Sequence, residues 1–464
     1  MARYLRILLC LLGGCAAHLR APAEPSAAPA LVPTSVATRP DPFATLQALE
    51  AGRIASSWSS LPSGEGCLEG DQRLSAHAML LAESSRAAQD VQPGLFSLVD
   101  TRRRLQIDGS AQRDCVFAQL AVQRQVGASG DYGSWDGSAL SWRIDPHWRV
   151  GAGRIAHHWG PAWDGSLILG TAARPFPNAS VAAASGPLAR DGFWWWLGEI
   201  DFSAFFGRLE GERADYARPY LMGARAVVRP WPWLELAISR TAMWGGEGRD
   251  TSLKTFLKSV LGRDNSCSGG DCDTQPGNQL GGYDARLKLD RWLPGVGLYG
   301  QMIGEDDRPD DIPLPAKNMY LAGAEWRRGD ALLFVEWTDS TAKAAGVAYN
   351  HFIYTDGYRY KGRPLGHWAD GDSNLWSVGG LYGNLLGGQA LAVVRYGMLN
   401  ASGVNPTWPD ARFAGASLQW RRLLDRVFGL SFVLDHATLS HPGRADGNDR
   451  RDTQLRLQLD AWID

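Results

Sequence analysis

From Gly281 to Asp464 the chain alternates apolar and polar side chains in segments about ten residues long, and the links between them are alternately tight and extended. The tight links are Arg291–Gly295, Arg328–Asp330, Asn384–Gly388 and Leu423–Asp425. The extended ones, Glu305–Asn318, Asp339–Asp372, Asn400–Asp410 and Ala437–Arg451, are rich in Gly, Pro and Asp. Alternation with a period of two sends successive side chains to opposite faces of a strand. Short turns on one rim and long loops on the other are what an all-β, up-and-down transmembrane barrel of an outer membrane requires.

The same pattern reaches back toward the N-terminus. Candidate strands are Gln72–Glu83, Asp114–Val126, Gly137–Asp145, Trp148–Ala156, Asn178–Ala184, Trp196–Glu210, Tyr220–Arg229 and Trp233–Trp244, followed by nine from Tyr283–Asp290 to Thr453–Ile463. That makes about 17, and a closed single-chain bacterial barrel takes an even number, so about 18 are expected. The missing strand should lie within Arg86–Arg113 or Tyr349–Tyr360. With the last strand descending to the periplasm, counting backward puts every extended link, and Gly245–Gly282, on the outside.

Composition allows this. A mean hydropathy of -0.23 resembles that of a soluble protein, but lumen-facing polar residues offset lipid-facing ones in such an average. The net charge of -2 gives no basic footprint for nucleic acid. The 20 Trp are numerous enough to supply an interfacial girdle, and Trp231, Trp233, Trp292, Trp326, Trp337, Trp376, Trp420 and Trp462 fall near predicted strand ends.

The first residues read as an export signal, with Arg3 and Arg6 before an apolar Ile7–Leu12. Leu12-Gly13-Gly14-Cys15 resembles a lipobox, which would lipidate Cys15; cleavage after Ala21-Pro22-Ala23 is the alternative. Residues 1–23 are thus assigned to the signal, 24–40 to an Ala/Pro-rich linker that cannot fold, and 41–464 to the barrel with its periplasmic helix. That helix opens at Asp41-Pro42 and stops at Gly52, with Trp58, Leu61 and Pro62 following in a loop. Cys67, Cys115, Cys267 and Cys272 form an even set suited to disulfides, the last two closing a small loop and the first two free to pair near the barrel start.

The most unusual local run is His157-His158-Trp159-Gly160-Pro161-Ala162-Trp163-Asp164-Gly165-Ser166, followed by Ala173-Arg174-Pro175. Adjacent His on an extended chain point to opposite faces and lack ligand spacing, so no metal is expected; Arg174 is expected to be paired inside the lumen. Thr251–Leu261 reads as a short amphipathic helix, sited in the long outer loop or folded into the lumen as a constriction. Glu305-Asp306-Asp307 with Asp310 and Asp311 reads as a solvated loop, with a bridging divalent cation as the alternative. There is no Walker, GxSxG or zinc signature, hence no catalytic residue and no cofactor to assign.

The His157–Arg174 block, Arg240–Arg249 (RTAMWGGEGR) and Gly277–Asp284 (GNQLGGYD), in that order, resemble the capsule assembly Wzi family. Where the family carries Asn-Ala-Arg-Pro, this chain has Ala172-Ala173-Arg174-Pro175. The resemblance implies a barrel of about 18 strands with a helical element on the periplasmic side. It also implies attachment of capsular polysaccharide through the outer face, as by a lectin. Sugar rings need aromatic faces and planar polar groups. The outer loops offer Trp244, Arg249 and Asp250, then Tyr349, His351, Tyr354, Tyr358, Arg359 and Trp368. The expectation is a monomeric outer-membrane barrel, set in lipid, that binds capsular or exopolysaccharide. Rival readings are a diffusion pore and a barrel-borne hydrolase.

Overall fold

In the computed structural model the described residues are 57–59, 68–84, 103–127, 130–187, 192–261, 277–307, 315–342, 347–405, 410–425, 427–440 and 449–463. The signal, Cys15, the linker, the helix at Asp41–Gly52, Cys67, Cys267 and Cys272 lie outside them.

Among the described residues, 18 antiparallel strands close into one barrel. They are β1 (Leu68–Ser84), β2 (Arg103–Asp114), β3 (Val116–Gly127) and β4, interrupted into Gly130–Ser134 and Ala139–Arg143. Next come β5 (Trp148–Arg154), β6 (Pro177–Pro187), β7 (Glu199–Arg208), β8 (Tyr220–Trp231) and β9 (Leu234–Trp244). The second half holds β10 (Gly277–Lys288), β11 (Val296–Gly304), β12 (Met319–Arg328), β13 (Ala331–Asp339) and β14 (Asn374–Leu385). It ends with β15 (Gly388–Leu399), β16 (Ala411–Leu423), β17 (Phe428–Ser440) and β18 (Arg450–Ile463). Each strand pairs with its sequence neighbours, and β1 closes the ring on β18, from Ala76 opposite Ile463 to Ser84 opposite Leu455. Closure leaves no unpaired edge in lipid.

The strand missing from the sequence count is β2, inside the Arg86–Arg113 window. Tyr349–Tyr360 contributes no wall strand; only Arg359–Tyr360 pairs, with Arg363–Pro364 in a small ribbon. β10 begins at Gly277, earlier than its alternation suggested. The glycines that hid it are needed there: a Cβ on Gly282 would strike the Met302 carbonyl on β11. The stretch around Trp58 is a short strand, Ser57–Ser59, paired with His157–Trp159, where a loop was expected. Cys115 is disulfide-bonded, and Leu68 pairs with its neighbour Asp114.

The wall follows the period-two rule. On β13, Leu333 and Val335 are exposed outward while Leu332, Phe334 and Glu336 are buried. Outward apolar residues recur around the ring at Ile107, Val122, Ile238, Val378, Val394 and Leu457. Inward positions include buried Asp108, Gln123, Arg225, Asp284, Gln301, Arg395 and Arg456. An apolar exterior over a polar interior is the inverse of a soluble domain and marks a membrane-spanning barrel. Near the short-turn rim stand exposed Trp194, Trp195, Trp196, Trp231, Trp233, Trp292 and Trp326, a belt suited to the headgroup level.

Candidate functional site

The loops on the opposite rim do two different things. The link between β5 and β6 does not project outward. Residues 155–171 fold into the lumen, and all but Gly170 are buried. Their backbone polar groups cannot reach water there, so wall side chains must satisfy them. Glu336 accepts from the Trp163 and Asp164 N–H groups at 2.5 and 2.9 Å, and from the Tyr299 hydroxyl at 2.7 Å. Glu325 accepts from the Trp163 indole at 2.7 Å and from Arg286 at 2.6 Å, while Arg286 also donates to the Pro161 carbonyl. Gln301 accepts from Leu167 N–H at 2.7 Å and donates to the Trp159 carbonyl at 2.9 Å.

Asp164 is the tightest fastening. Arg395 of β15 donates to it through Nε at 2.9 Å and Nη2 at 2.7 Å. Ser377 of β14 adds a bond at 2.6 Å and the Trp368 indole one at 3.3 Å. A buried pair satisfied this completely holds, whereas either partner alone would be a buried charge. Arg174 is paired, as the sequence implied, with Asp136 at 2.6 Å. His157 stacks on Phe205 at 4.8 Å and meets Asn178 at 3.1 Å. Burial pushes both His157 and His158 down to about 4, so the lumen holds them neutral.

The link between β13 and β14 forms a cap over this plug. The Tyr349 hydroxyl donates to the Leu167 carbonyl at 2.6 Å, and Gly170 N–H donates to the Leu365 carbonyl at 2.7 Å. Arg359 grips Asp370 in bidentate fashion at 2.7 and 2.9 Å. Neighbouring loops brace the cap. Arg213 donates to the carbonyls of Arg359 and Gly357 at 2.9 and 3.0 Å, and Asp356 accepts from Ala214 N–H at 2.7 Å. Glu305, read as part of a solvated acidic run, is buried and accepts from Tyr349 N–H at 2.6 Å. His367 lies against Gly165 so closely that a Cβ there would meet its ring, and burial pushes it down to about 4.

These contacts sort the residues expected to bind sugar. Tyr349, Tyr354, Tyr358, Arg359, Trp368 and Trp244 are buried, their rings and charges used to build the cap and wall. A glycan outside cannot stack on them in this arrangement. Arg249 and His351 are half-buried and Asp250 is exposed, though Asp250 accepts from Ser252 and Thr255 at a helix start. Arg249 lies over Tyr216 and Tyr354 at 5.0 and 5.4 Å. His351 stacks on exposed Phe352 at 4.6 Å. Tyr216 and Phe352 were missed by sequence reasoning; Tyr216 sits in a short, charge-rich loop with no local signal. The result is an outer surface with a half-buried Tyr216 face, an exposed Phe352 face, a guanidinium and an imidazole, above the inward segment.

A closed 18-stranded barrel with an apolar belt, residues 155–171 folded into its lumen and a braced outer cap is an outer-membrane-type barrel. The capsule assembly protein Wzi family matches residues 119–453, and the chain belongs to that family. A solved structure similar to it is Wzi of Escherichia coli, described as an outer membrane protein involved in group 1 capsule assembly and a carbohydrate-binding β-barrel. That likeness has a TM-score of 0.71 at 23% identity and covers 83% of each chain. The chain is also 36% identical over 189 residues to an uncharacterized 55.8 kDa protein in the cps region of Klebsiella pneumoniae. That match spans 40% of this chain and 35% of the relative's length.

Proposed function

We propose that this protein is a monomeric, non-conducting and non-catalytic barrel of the outer membrane that holds capsular or exopolysaccharide on its outer cap. One observation carries the reading: the inward segment around Asp164 is fastened to the arc of wall from β11 to β15 by buried side-chain bonds, and the cap is fastened to it in turn. A barrel closed so thoroughly favours a surface that binds over a passage that conducts. Family membership supports the polysaccharide as partner. Phe352 on the cap and Tyr216 beside it supply faces for sugar rings, while the neighbouring Arg249 supplies a planar donor for carboxylate or hydroxyl groups.

The test is retention of purified capsular polysaccharide by the detergent-solubilised protein. Arg249→Ala with Phe352→Ala should weaken it by roughly tenfold, the scale of one charged and one aromatic contact. Unchanged retention removes the cap from the proposal, and steady conductance of the wild type in planar bilayers removes the closed-lumen premise.

A further inference from the structure

The short helix α1 (Leu253–Val260) lies in the long outer loop between β9 and β10, and it folds onto the outside of the wall. On β9 the outward positions run Leu236, Ile238, Arg240, Ala242 and Trp244, with Leu236 and Ile238 exposed toward lipid. α1 packs on the upper part of this same outer face. Phe256 meets Trp244 and Phe206 at 5.5 and 6.3 Å between ring centroids. Arg240 donates to the Ser259 and Val260 carbonyls, at 2.5 and 2.6 Å, which neutralises the negative end of the helix. The helix therefore runs down the outside of the wall, its C-terminal end beside Arg240.

With Phe256 and Ser259 taken by the wall, the helical repeat turns Leu253, Leu257 and Val260 to the adjacent face. They are exposed, Leu253 at 71%, and Leu261 continues the stripe. Lys254 and Lys258, one turn apart and both exposed, form the next stripe. In water this arrangement has nothing to recommend it: the leucines stay wet and the like charges repel. Depth supplies the reason. A spanning strand takes about 9–11 residues. Counted upward from Trp233 in the lower belt, that reaches Thr241–Met243, the level at which α1 lies. The apolar stripe is thus continuous with the lipid-facing wall, and the lysines flank it along the helix.

We propose that α1 is an interfacial helix that seats a phosphorylated glycolipid of the outer leaflet. Leu253, Leu257 and Val260 enter the acyl region, and Lys254 and Lys258 together hold the lipid's phosphate. A phosphate bridging both ammonium groups turns their repulsion into attraction, and the long lysine stems reach the headgroup while their methylenes stay in the apolar layer.

The full-length protein in detergent, washed and then loaded with bisphosphorylated lipid A, tests this by mass spectrometric counting of retained lipid. Lys254→Glu with Lys258→Glu, and separately Leu253→Asn with Leu257→Asn, should each lower retention about fivefold or more while heat-modifiable gel mobility shows the barrel intact. Wild-type retention in both variants overturns the proposal. Equal retention of dephosphorylated lipid overturns the lysine assignment, and displacement by excess inorganic phosphate means a free-anion site in place of a lipid seat. Should a variant fail to close, hydrogen exchange of residues 253–260 in the wild type decides: it must be slower in bilayers of phosphorylated than of dephosphorylated glycolipid, and equal rates refute the seat.

Discussion

The wall and the plug are made of the same chain but held by different means. In the wall each residue gains its place from backbone ladders to two neighbours, as β13 does from β12 and β14, and its side chain needs only to be apolar outside or polar inside. In the plug, residues such as Trp163 and Asp164 have no ladder; particular side chains more than a hundred residues away hold them. Redundancy protects the wall, whereas the plug depends on a few bonds of high individual worth. The sharpest way to break this contrast is Asp164→Ala. It strands the fully buried Arg395 guanidinium, at a cost of about 3–5 kcal/mol. The barrel should still close, read as unchanged heat-modifiable mobility, while planar-bilayer recordings change from silent to conducting. A variant that fails to form a barrel at all would mean the plug is part of the wall's own stability.

Acid should find the same weakness. His367 is buried in the cap and sits at about 4 against an ordinary 6.5, so the folded arrangement takes up its proton later than a released loop would. Above pH 6.5 both forms are neutral and nothing is lost; as pH falls from 6.5 toward 4 the released form is progressively favoured. At pH 5 the penalty for this one imidazole is about 2 kcal/mol. Protection factors across residues 347–372, taken relative to the intrinsic amide exchange rate at each pH, should therefore fall between pH 6.5 and 4, and His367→Gln should flatten that dependence. A dependence unchanged by the substitution would place the acid sensitivity in other groups.

This contrast also explains what the sequence made legible. Alternation along β13 or β15 is a local signal, so 17 of the 18 strands, the up-and-down topology and the rim carrying the long loops could be read from it. β2 escaped because Arg103, Arg104, Asp108, Arg113 and Asp114 blur its alternation, and the start of β10 escaped because its glycines mimic a loop. The cap was harder. Tyr349, Tyr354 and Tyr358 look like a sugar platform in a linear string, and only their burial against Leu167, Gly245 and their own loop shows them to be structural. Nothing local could reveal that Asp164 meets Arg395. The order of motifs identified the family, but which aromatic residues remain exposed is decided by long-range contacts.

The mildest perturbation belongs to the wall. Trp231 and Trp233 stack face to face at the short-turn rim, 5.0 Å apart and 2° from parallel, and both are about half exposed. Their stacking adds roughly 0.5–1.5 kcal/mol beyond burial. Trp233→Leu keeps an apolar residue at the belt and leaves the pairing of β8 with β9 intact, so that small amount is all it should remove. Urea unfolding of the reconstituted barrel should shift its midpoint slightly, with no conductance and no change in exchange across the plug. A loss as large as that from Asp164→Ala would show that the wall, too, hangs on single contacts, and the distinction between the two regions would fail.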